Sequence, residues 1–114
     1  MKYTLKDLII DLDIKQIYAE NLNTEISSVY TSDLLSDVLA NCAVDSLLVT
    51  VQAHLNTVAV AYEKKCIGII VCNNKEISEE MKAACSEYKI ALFLTHLNQF
   101  EVSGFLFNKI NYFL

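Results

Sequence analysis

The chain has 114 residues, a formal net charge of −5, only two glycines, no proline, and lysine as its only basic residue apart from two histidines. The distant glycines Gly68 and Gly104 cannot build a phosphate-binding loop or a dinucleotide-binding fingerprint, which excludes the enzymes that depend on these motifs. The absence of arginine and the negative charge disfavour nucleic acid as a partner, because phosphate and base recognition relies largely on arginine.

The first 42 residues predict a helix, two extended segments and a second helix. Thr4 is the predicted cap of a first helix whose apolar residues follow the 3.6-residue helical period. Residues 14–19 and 26–30 are predicted to be extended. Ser32 is the predicted cap of the second helix, and Asp33 is placed in its first turn, where a carboxylate favours the helix dipole. One apolar face of this helix is predicted to contain Leu34, Leu35, Val38, Leu39 and Cys42.

The rest of the chain alternates buried strands with amphipathic helices. Strands are predicted at residues 47–51, 66–72 and 90–94, and a helix follows each, the second of them capped by Ser78 and the last spanning about residues 97–109. Three near-continuous apolar strands separated by such helices are typical of a parallel sheet covered on both faces. The sequence therefore predicts a single α/β domain over residues 1–114, with a mainly parallel sheet and the element order α-β-β-α-β-α-β-α-β-α.

The apolar segments predict the location of the protein in the cell and whether it uses a cofactor. No apolar run approaches the ~18 residues of a membrane span, and the first residues alternate charged with apolar types, so we expect a cytoplasmic protein without membrane association. The four cysteines contain no C-x-x-C pair and lie in apolar segments. Buried reduced thiols are therefore expected rather than a zinc site or a disulfide framework, and no metal or cofactor is predicted.

Polar side chains follow each of the three central strands. Ligands of open parallel sheets bind beyond the carboxyl ends of the strands, next to helix N-termini that offer free N–H groups. The residues at these positions are candidates for ligand binding: Thr50, Gln52, His54, Asn56, Asn73, Asn74 and Thr95, with His96 as a weaker one.

Each candidate also has a structural interpretation. Asn73 and Asn74 are ordinary turn residues, and Thr95 is an ordinary helix cap. His54 is a poor cap at the entrance to a helix, so a functional role and a structural role both stay open. Asp33 and Asp37 lie one predicted helical turn apart and form either a carboxylate pair that holds a ligand or cation, or a dipole residue followed by a solvated one. No residue is predicted to be catalytic.

Two long segments carry a family resemblance. SDLLSDVLAN at residues 32–41 and TVQAHLNTVAVA at residues 50–61 resemble the DRTGG domain family, which is related to the N-terminal domain of HPr kinase/phosphorylase. LKDLI at residues 5–9, IYA at residues 17–19, IALFLT at residues 90–95 and FEVSGFL at residues 100–106 resemble the start and the close of those domains. The resemblance covers essentially the whole chain. The literal Asp-Arg-Thr-Gly-Gly string is absent, and Ser32 and the Asn73–Asn74 pair stand where relatives tend to carry glycine.

The resemblance implies a regulatory module and not a catalyst. Such domains occur beside CBS domains and in front of enzymes such as phosphotransacetylase. The leading hypothesis is accordingly a non-enzymatic regulatory domain that senses a small molecule, such as a nucleotide or metabolite, and forms a homodimer or a higher homo-oligomer. A kinase activity of its own is not expected, because the chain lacks the glycines of a phosphate-binding loop.

Two other hypotheses remain open. The first is a purely structural dimerisation or protein-interaction module, with the apolar tail at residues 110–114 as a docking segment. The second, less favoured, is a metal-assisted hydrolase in which Asp33 and Asp37 hold a divalent ion while His54 moves a proton.

Overall fold

The computed structural model describes residues 2–110, which contain five helices and five strands in the predicted order. The helices are α1 (Leu5–Asp11), α2 (Leu35–Asn41), α3 (Leu55–Glu63), α4 (Glu79–Tyr88) and α5 (Gln99–Lys109). The strands are β1 (Ile14–Tyr18), β2 (Val29–Thr31), β3 (Leu47–Thr50), β4 (Gly68–Val71) and β5 (Ala91–Thr95).

The five strands form one mixed sheet in the order β1-β5-β4-β3-β2. The pairs β2–β3, β3–β4 and β4–β5 are parallel, and β1 pairs with β5 in the antiparallel sense. The three central strands lie in register, with Leu48 opposite Ile69 and Ile69 opposite Leu92. The α/β class and the mainly parallel sheet are therefore confirmed.

Helices cover both faces of the sheet. On one face, side chains of α2, α3 and α4 pack with those of the central strands around Leu48, Ile69 and Leu92. On the other face, α1 and α5 pack around Ile70 and Phe93. The central strands β3 and β4 are buried along their whole length, as a parallel sheet with two covered faces requires. All four cysteines are buried, as predicted.

Polar caps fix the starts of α1 and α4. Thr4 accepts a hydrogen bond from the Asp7 N–H (3.3 Å), and the Asp7 carboxylate accepts one from the Thr4 N–H (2.9 Å), which completes a capping box. Ser78 accepts one from the Met81 N–H at the start of α4. The predicted caps Thr4 and Ser78 are thus confirmed.

The second extended segment and the start of α2 differ from their predictions. β2 spans Val29–Thr31 instead of residues 26–30, because the Ile26 N–H is bonded to the Tyr3 carbonyl (2.7 Å) and not to a strand of the main sheet. The cap of α2 is Leu34, without a side-chain hydrogen bond, and the Ser32 hydroxyl instead accepts the Leu34 N–H (3.2 Å) before the helix begins.

The predicted apolar face of α2 is only partly correct. Val38 and Cys42 are buried, but Leu34 is 64% exposed and Leu39 is 48% exposed. Because the helix begins at Leu35, two residues later than the predicted cap at Ser32 implies, Leu34 precedes it and cannot share its buried side.

The last helix begins at Gln99, with Asn98 as its cap, rather than at residue 97. Of the tail at residues 110–114, residues 111–114 lie outside the described part of the chain. Within residues 2–110, no helix has the length and apolar character needed to cross a membrane.

Candidate functional site

The strands β3, β4 and β5 are parallel neighbours, so the residues that follow them lie at one end of the sheet. We call this the exit end and define it by the segments 51–56, 72–76 and 96–98. The polar residues predicted as candidates do gather around this end. They divide into separate groups, centred on Asp33, on Asn74 and on His54, rather than forming one site.

Asp33 joins three elements at the exit end. Its carboxylate accepts one hydrogen bond from the Val51 N–H, directly after β3, and one from the Gln99 side-chain amide at the start of α5, both at 3.1 Å. The second amide atom of Gln99, Oε1, is buried and has no hydrogen-bond partner within residues 2–110. Sequence reasoning missed Gln99, because 66 positions separate it from Asp33 and no local pattern signals the contact.

Asp37 serves a different set of partners. Its carboxylate accepts hydrogen bonds from the Tyr30 hydroxyl and the Asn41 side-chain amide, both at 2.8 Å. Hydrogen bonds from Asn41, Ser32 and Tyr30 lower the pKa of Asp37, because each of them favours the ionised form. The carboxylate thereby ties β2 to α2.

The predicted pairing of the two aspartates on one helical face is wrong. Asp33 precedes α2, whereas Asp37 lies within its first turn, and the two carboxylates have different hydrogen-bond partners. Within residues 2–110, no group of three or more His, Cys, Asp or Glu side chains is arranged to hold a metal ion. Asp33, Asp37 and His54 therefore do not form the centre that the hydrolase hypothesis requires.

Two threonines hold the loop between β3 and α3. The Thr50 side chain is fully buried and its hydroxyl accepts the Gln52 N–H (3.1 Å), while the Thr57 hydroxyl donates to the Gln52 carbonyl (2.8 Å). Thr50 is thus a structural residue of the turn. The Gln52 side chain is partly exposed and makes no hydrogen bond with another described residue.

His54 lies at the entrance to α3 with an exposed side chain. It occupies the cap position, but its imidazole makes no capping hydrogen bond and has no hydrogen-bond or ion-pair partner within the described chain. It borders an open cleft of about 370 Å³ between the starts of α3 and α4, here called the His54 cleft. The other lining residues are Ala53, Leu55, Glu76, Ser78 and Glu80.

Asn56 lies beyond the His54 cleft, in the first turn of α3. It borders a neighbouring groove of about 360 Å³ between α3 and α4, here called the α3–α4 groove. Leu55 lines both spaces, so the polar cleft and the groove meet at this residue.

Asn73 and Asn74 form a turn in the left-handed backbone region, with φ angles of 62° and 51°. Their N–H groups donate to the carbonyls of Leu97 (3.0 Å) and Thr95 (2.8 Å), which fixes the turn after β4 against the loop after β5. Asparagine tolerates this backbone region better than most residues, which explains how it can replace the glycine that the family resemblance implies here. The two N–H groups are consequently not available to a ligand.

Substitutions at Asn73 should separate backbone strain from side-chain function. We expect Asn73→Ala to lower the free energy of unfolding by about 1 kcal/mol, because a Cβ-bearing residue without a local polar group is disfavoured at positive φ. Asn73→Gly should stay within about 0.5 kcal/mol of the wild type, since glycine adopts this conformation freely. Urea denaturation of both variants measures the difference, and an equal loss in both would show that the side chain and not the backbone matters.

Thr95 and His96 lie on the other side of the exit end, next to β1. The Thr95 hydroxyl donates to the Asp13 carbonyl (2.8 Å) and accepts the Leu97 N–H (3.1 Å), so it does not cap α5 as predicted. The exposed His96 imidazole lies 3.4 Å from the Asp13 carboxylate. With Asn74, these residues border a shallow space of about 140 Å³ that is separate from the His54 cleft.

By sequence, the chain matches no family model and no curated protein. Among solved structures, it is similar to the CBS and DRTGG domains of the regulatory region of Clostridium perfringens pyrophosphatase, a crystal structure complexed with the activator diadenosine tetraphosphate. The TM-score is 0.72 at 14% sequence identity, and the match covers 89% of this chain but only 44% of that chain. At this identity the likeness concerns the fold, and it confirms the DRTGG-like fold expected from the sequence.

Proposed function

We propose that this chain is a non-catalytic regulatory domain that binds a small molecule in the His54 cleft. The observation that carries the proposal is the exposed imidazole of His54, which has no partner in the described chain and borders an open cleft at the exit end of the sheet. Ligands of open α/β sheets bind at this end. The fold is shared with part of a regulatory region whose crystal structure holds a nucleotide activator, which supports a sensing role.

The charge of the His54 cleft indicates which small molecules it favours. Glu76 and Glu80 contribute two carboxylates, and none of the lining residues is a lysine. Phosphate groups of a nucleotide would be repelled by these carboxylates, whereas cationic groups and hydrogen-bond donors would be attracted. We therefore propose a metabolite with an amine or several donor groups as the ligand, with nucleotides as the alternative class.

A thermal-shift panel of amines, amino acids, other metabolites and nucleotides tests the proposal. At ~100 times its dissociation constant, a ligand should stabilise the protein by roughly 2.7 kcal/mol, which raises the midpoint of thermal unfolding. The shift should vanish in His54→Ala and persist in His96→Ala, which removes the other exposed histidine from a separate space. A panel without any stabiliser, or a shift that survives His54→Ala, would count against this site.

A second candidate function is that of a dimerisation module, and the α3–α4 groove is the observation that favours it. Leu55, Tyr62 and Tyr88 are 49%, 57% and 45% exposed, and the two tyrosine rings lie 4.8 Å apart between their centroids. Aromatic and aliphatic side chains of this kind gain stability when a second copy of the chain excludes water from them. A homodimer would then use this face of the molecule.

Sedimentation equilibrium distinguishes this candidate. For a dimer through the α3–α4 groove, Tyr62→Glu should weaken self-association at least tenfold, because it places a charge in the apolar contact. Phe100→Glu is the control, since Phe100 is 85% exposed on α5, across the sheet from the groove. A monomeric wild type, or equal weakening in both variants while their circular dichroism stays unchanged, would contradict dimerisation through the groove.

A further inference from the structure

Two of the four cysteines come from distant parts of the chain and lie under adjacent surface turns. Cys42 ends α2, and Cys66 lies between α3 and β4. The turns that carry them are joined by hydrogen bonds from the Asp45 N–H to the Lys65 carbonyl (3.2 Å) and from the Ile67 N–H to the Ser46 carbonyl (2.9 Å). The backbone thus holds the two segments side by side.

The side chains of this pair meet in the same part of the core. Cys42 is 3% exposed and Cys66 is 7% exposed, and both belong to the apolar cluster on the face covered by α2, α3 and α4. Cys42 also contributes to the raised pKa of Cys66, which places the two side chains near each other. Neighbouring thiols on backbone segments that are joined by hydrogen bonds meet the first requirement of a disulfide bond, which is proximity.

The other two cysteines lack such a neighbour. Cys72 follows β4 and packs in the cluster on the opposite face of the sheet, at the far end of the strand from Cys66. Cys85 lies on α4. The arrangement therefore singles out one pair of the six that four cysteines allow.

We propose that Cys42 and Cys66 are a redox pair that closes to an intramolecular disulfide when a peroxide oxidises it. One thiol, as its thiolate, attacks a peroxide oxygen, the O–O bond breaks, and a sulfenic acid forms while water leaves after protonation. The second thiol then attacks the sulfenic sulfur and releases another water. In total, two thiols and one hydrogen peroxide give one disulfide and two waters. A peroxide is small enough to reach a pair that lies just below the surface.

Burial also limits the supply of thiolate in this pair. Desolvation and the neighbouring Cys42 raise the pKa of Cys66 to about 12, so that this thiol is a poor source of thiolate near neutral pH. Either thiol of the pair can attack the peroxide first, and the other then resolves the sulfenic acid. The bond would connect the end of α2 to the segment before β4 and so close a loop that contains β3, α3 and His54.

Peptide mapping of the wild-type chain tests the pair. The folded protein is treated with hydrogen peroxide, the remaining thiols are blocked with N-ethylmaleimide in acidic urea, and tryptic peptides are fragmented without reduction. Cys66 and Cys72 fall in one tryptic peptide, so fragmentation between them assigns the linked residue. We expect the Cys42–Cys66 link at least tenfold above any other pair, with Cys72 and Cys85 carrying the maleimide.

Oxidation of the same chain in urea is the matched control. Without the fold, loop-closure entropy should favour the link between Cys66 and Cys72, which closes the shortest loop. The Cys72→Ala variant should retain the native link, and mixing isotope-labelled with unlabelled protein shows whether links join two copies. A Cys66–Cys72 link in the folded protein, links between copies, or no Cys42–Cys66 link under peroxide that oxidises the chain in urea would overturn the proposal.

Discussion

Between pH 9 and pH 11 the protein should lose most of its stability and unfold. Burial raises the pKa of Cys66 and Cys72 to about 12 and that of Cys85 to about 11, from the value of 9.0 for an exposed thiol. Neighbouring groups add to the effect, Cys42 for Cys66 and Asp33 for Cys72. Because the folded pKa values are raised, the stability from neutral thiols is complete below pH 9 and is lost as the pH rises toward the folded values.

The change in the free energy of unfolding per pH unit follows from the number of thiol protons that are released on unfolding. Three thiols that ionise only after unfolding should reduce the free energy of unfolding by about 4 kcal/mol per pH unit between pH 10 and pH 11. Tyr3 acts in the same direction above pH 10, because burial and its hydrogen bond to Asp11 raise its pKa. This change is large compared with the roughly 5–15 kcal/mol that stabilises a domain of ordinary size.

Urea denaturation at pH 8, 9, 10 and 11 measures this dependence. Cys85→Ala should start from a lower stability but show a slope that is shallower by about 1.4 kcal/mol per pH unit, because one ionising thiol is removed. Cys72→Ala should behave in the same way. A free energy of unfolding that stays constant from pH 9 to pH 11 would mean that the thiols ionise equally well in the folded protein.

Phe93→Ala should destabilise the protein by about 3–5 kcal/mol, because it leaves a cavity in the centre of the sheet. Phe93 is fully buried in β5, opposite Ile70 of β4 and Gln16 of β1, and it is the largest of the fully buried side chains. It packs in the cluster formed with α1 and α5. Chemical denaturation at pH 7 measures the loss, which is close to the whole stability of many small domains.

Phe100→Ala is the matched control for this prediction. It removes the same side chain from an 85% exposed position in the first turn of α5 and should change the free energy of unfolding by no more than about 0.5 kcal/mol. Similar losses in both variants would indicate that Phe100 is covered in solution, for example by another copy of the chain.

Local patterns were sufficient to predict the order of all ten elements. Thr4 and Ser78 cap their helices as expected, and the apolar runs that end at Thr50 and Val71 are the buried central strands. The errors occur where contacts between distant segments decide the structure. Ile26 pairs with Tyr3 rather than with the main sheet, and the sequence between them contains no signal for this contact.

The candidate site, too, could be predicted from the sequence only in part. The parallel arrangement of β3, β4 and β5 correctly predicted that polar residues after these strands gather at one end of the sheet. His54 borders the same cleft as Glu76 and Glu80, whereas Asn74 and Thr95 border a different space. This grouping depends on how the helices pack and on the path of the loops. The sequence does not show that Glu76 and Glu80 are neighbours of His54, because only the packing of α3 against α4 brings them there.

The sheet order has a consequence for solubility. Both outer strands come from the first 31 residues, since β1 borders β5 and β2 borders β3. An unpaired edge strand can form hydrogen bonds with a strand of another chain. Proteins limit this association with short edge strands, irregular pairing and charged side chains. β2 has only three residues, while β1 has a pairing irregularity between Gln16 and Tyr18 and carries the exposed Lys15. The N-terminal segment therefore protects the apolar central strands from aggregation at both borders.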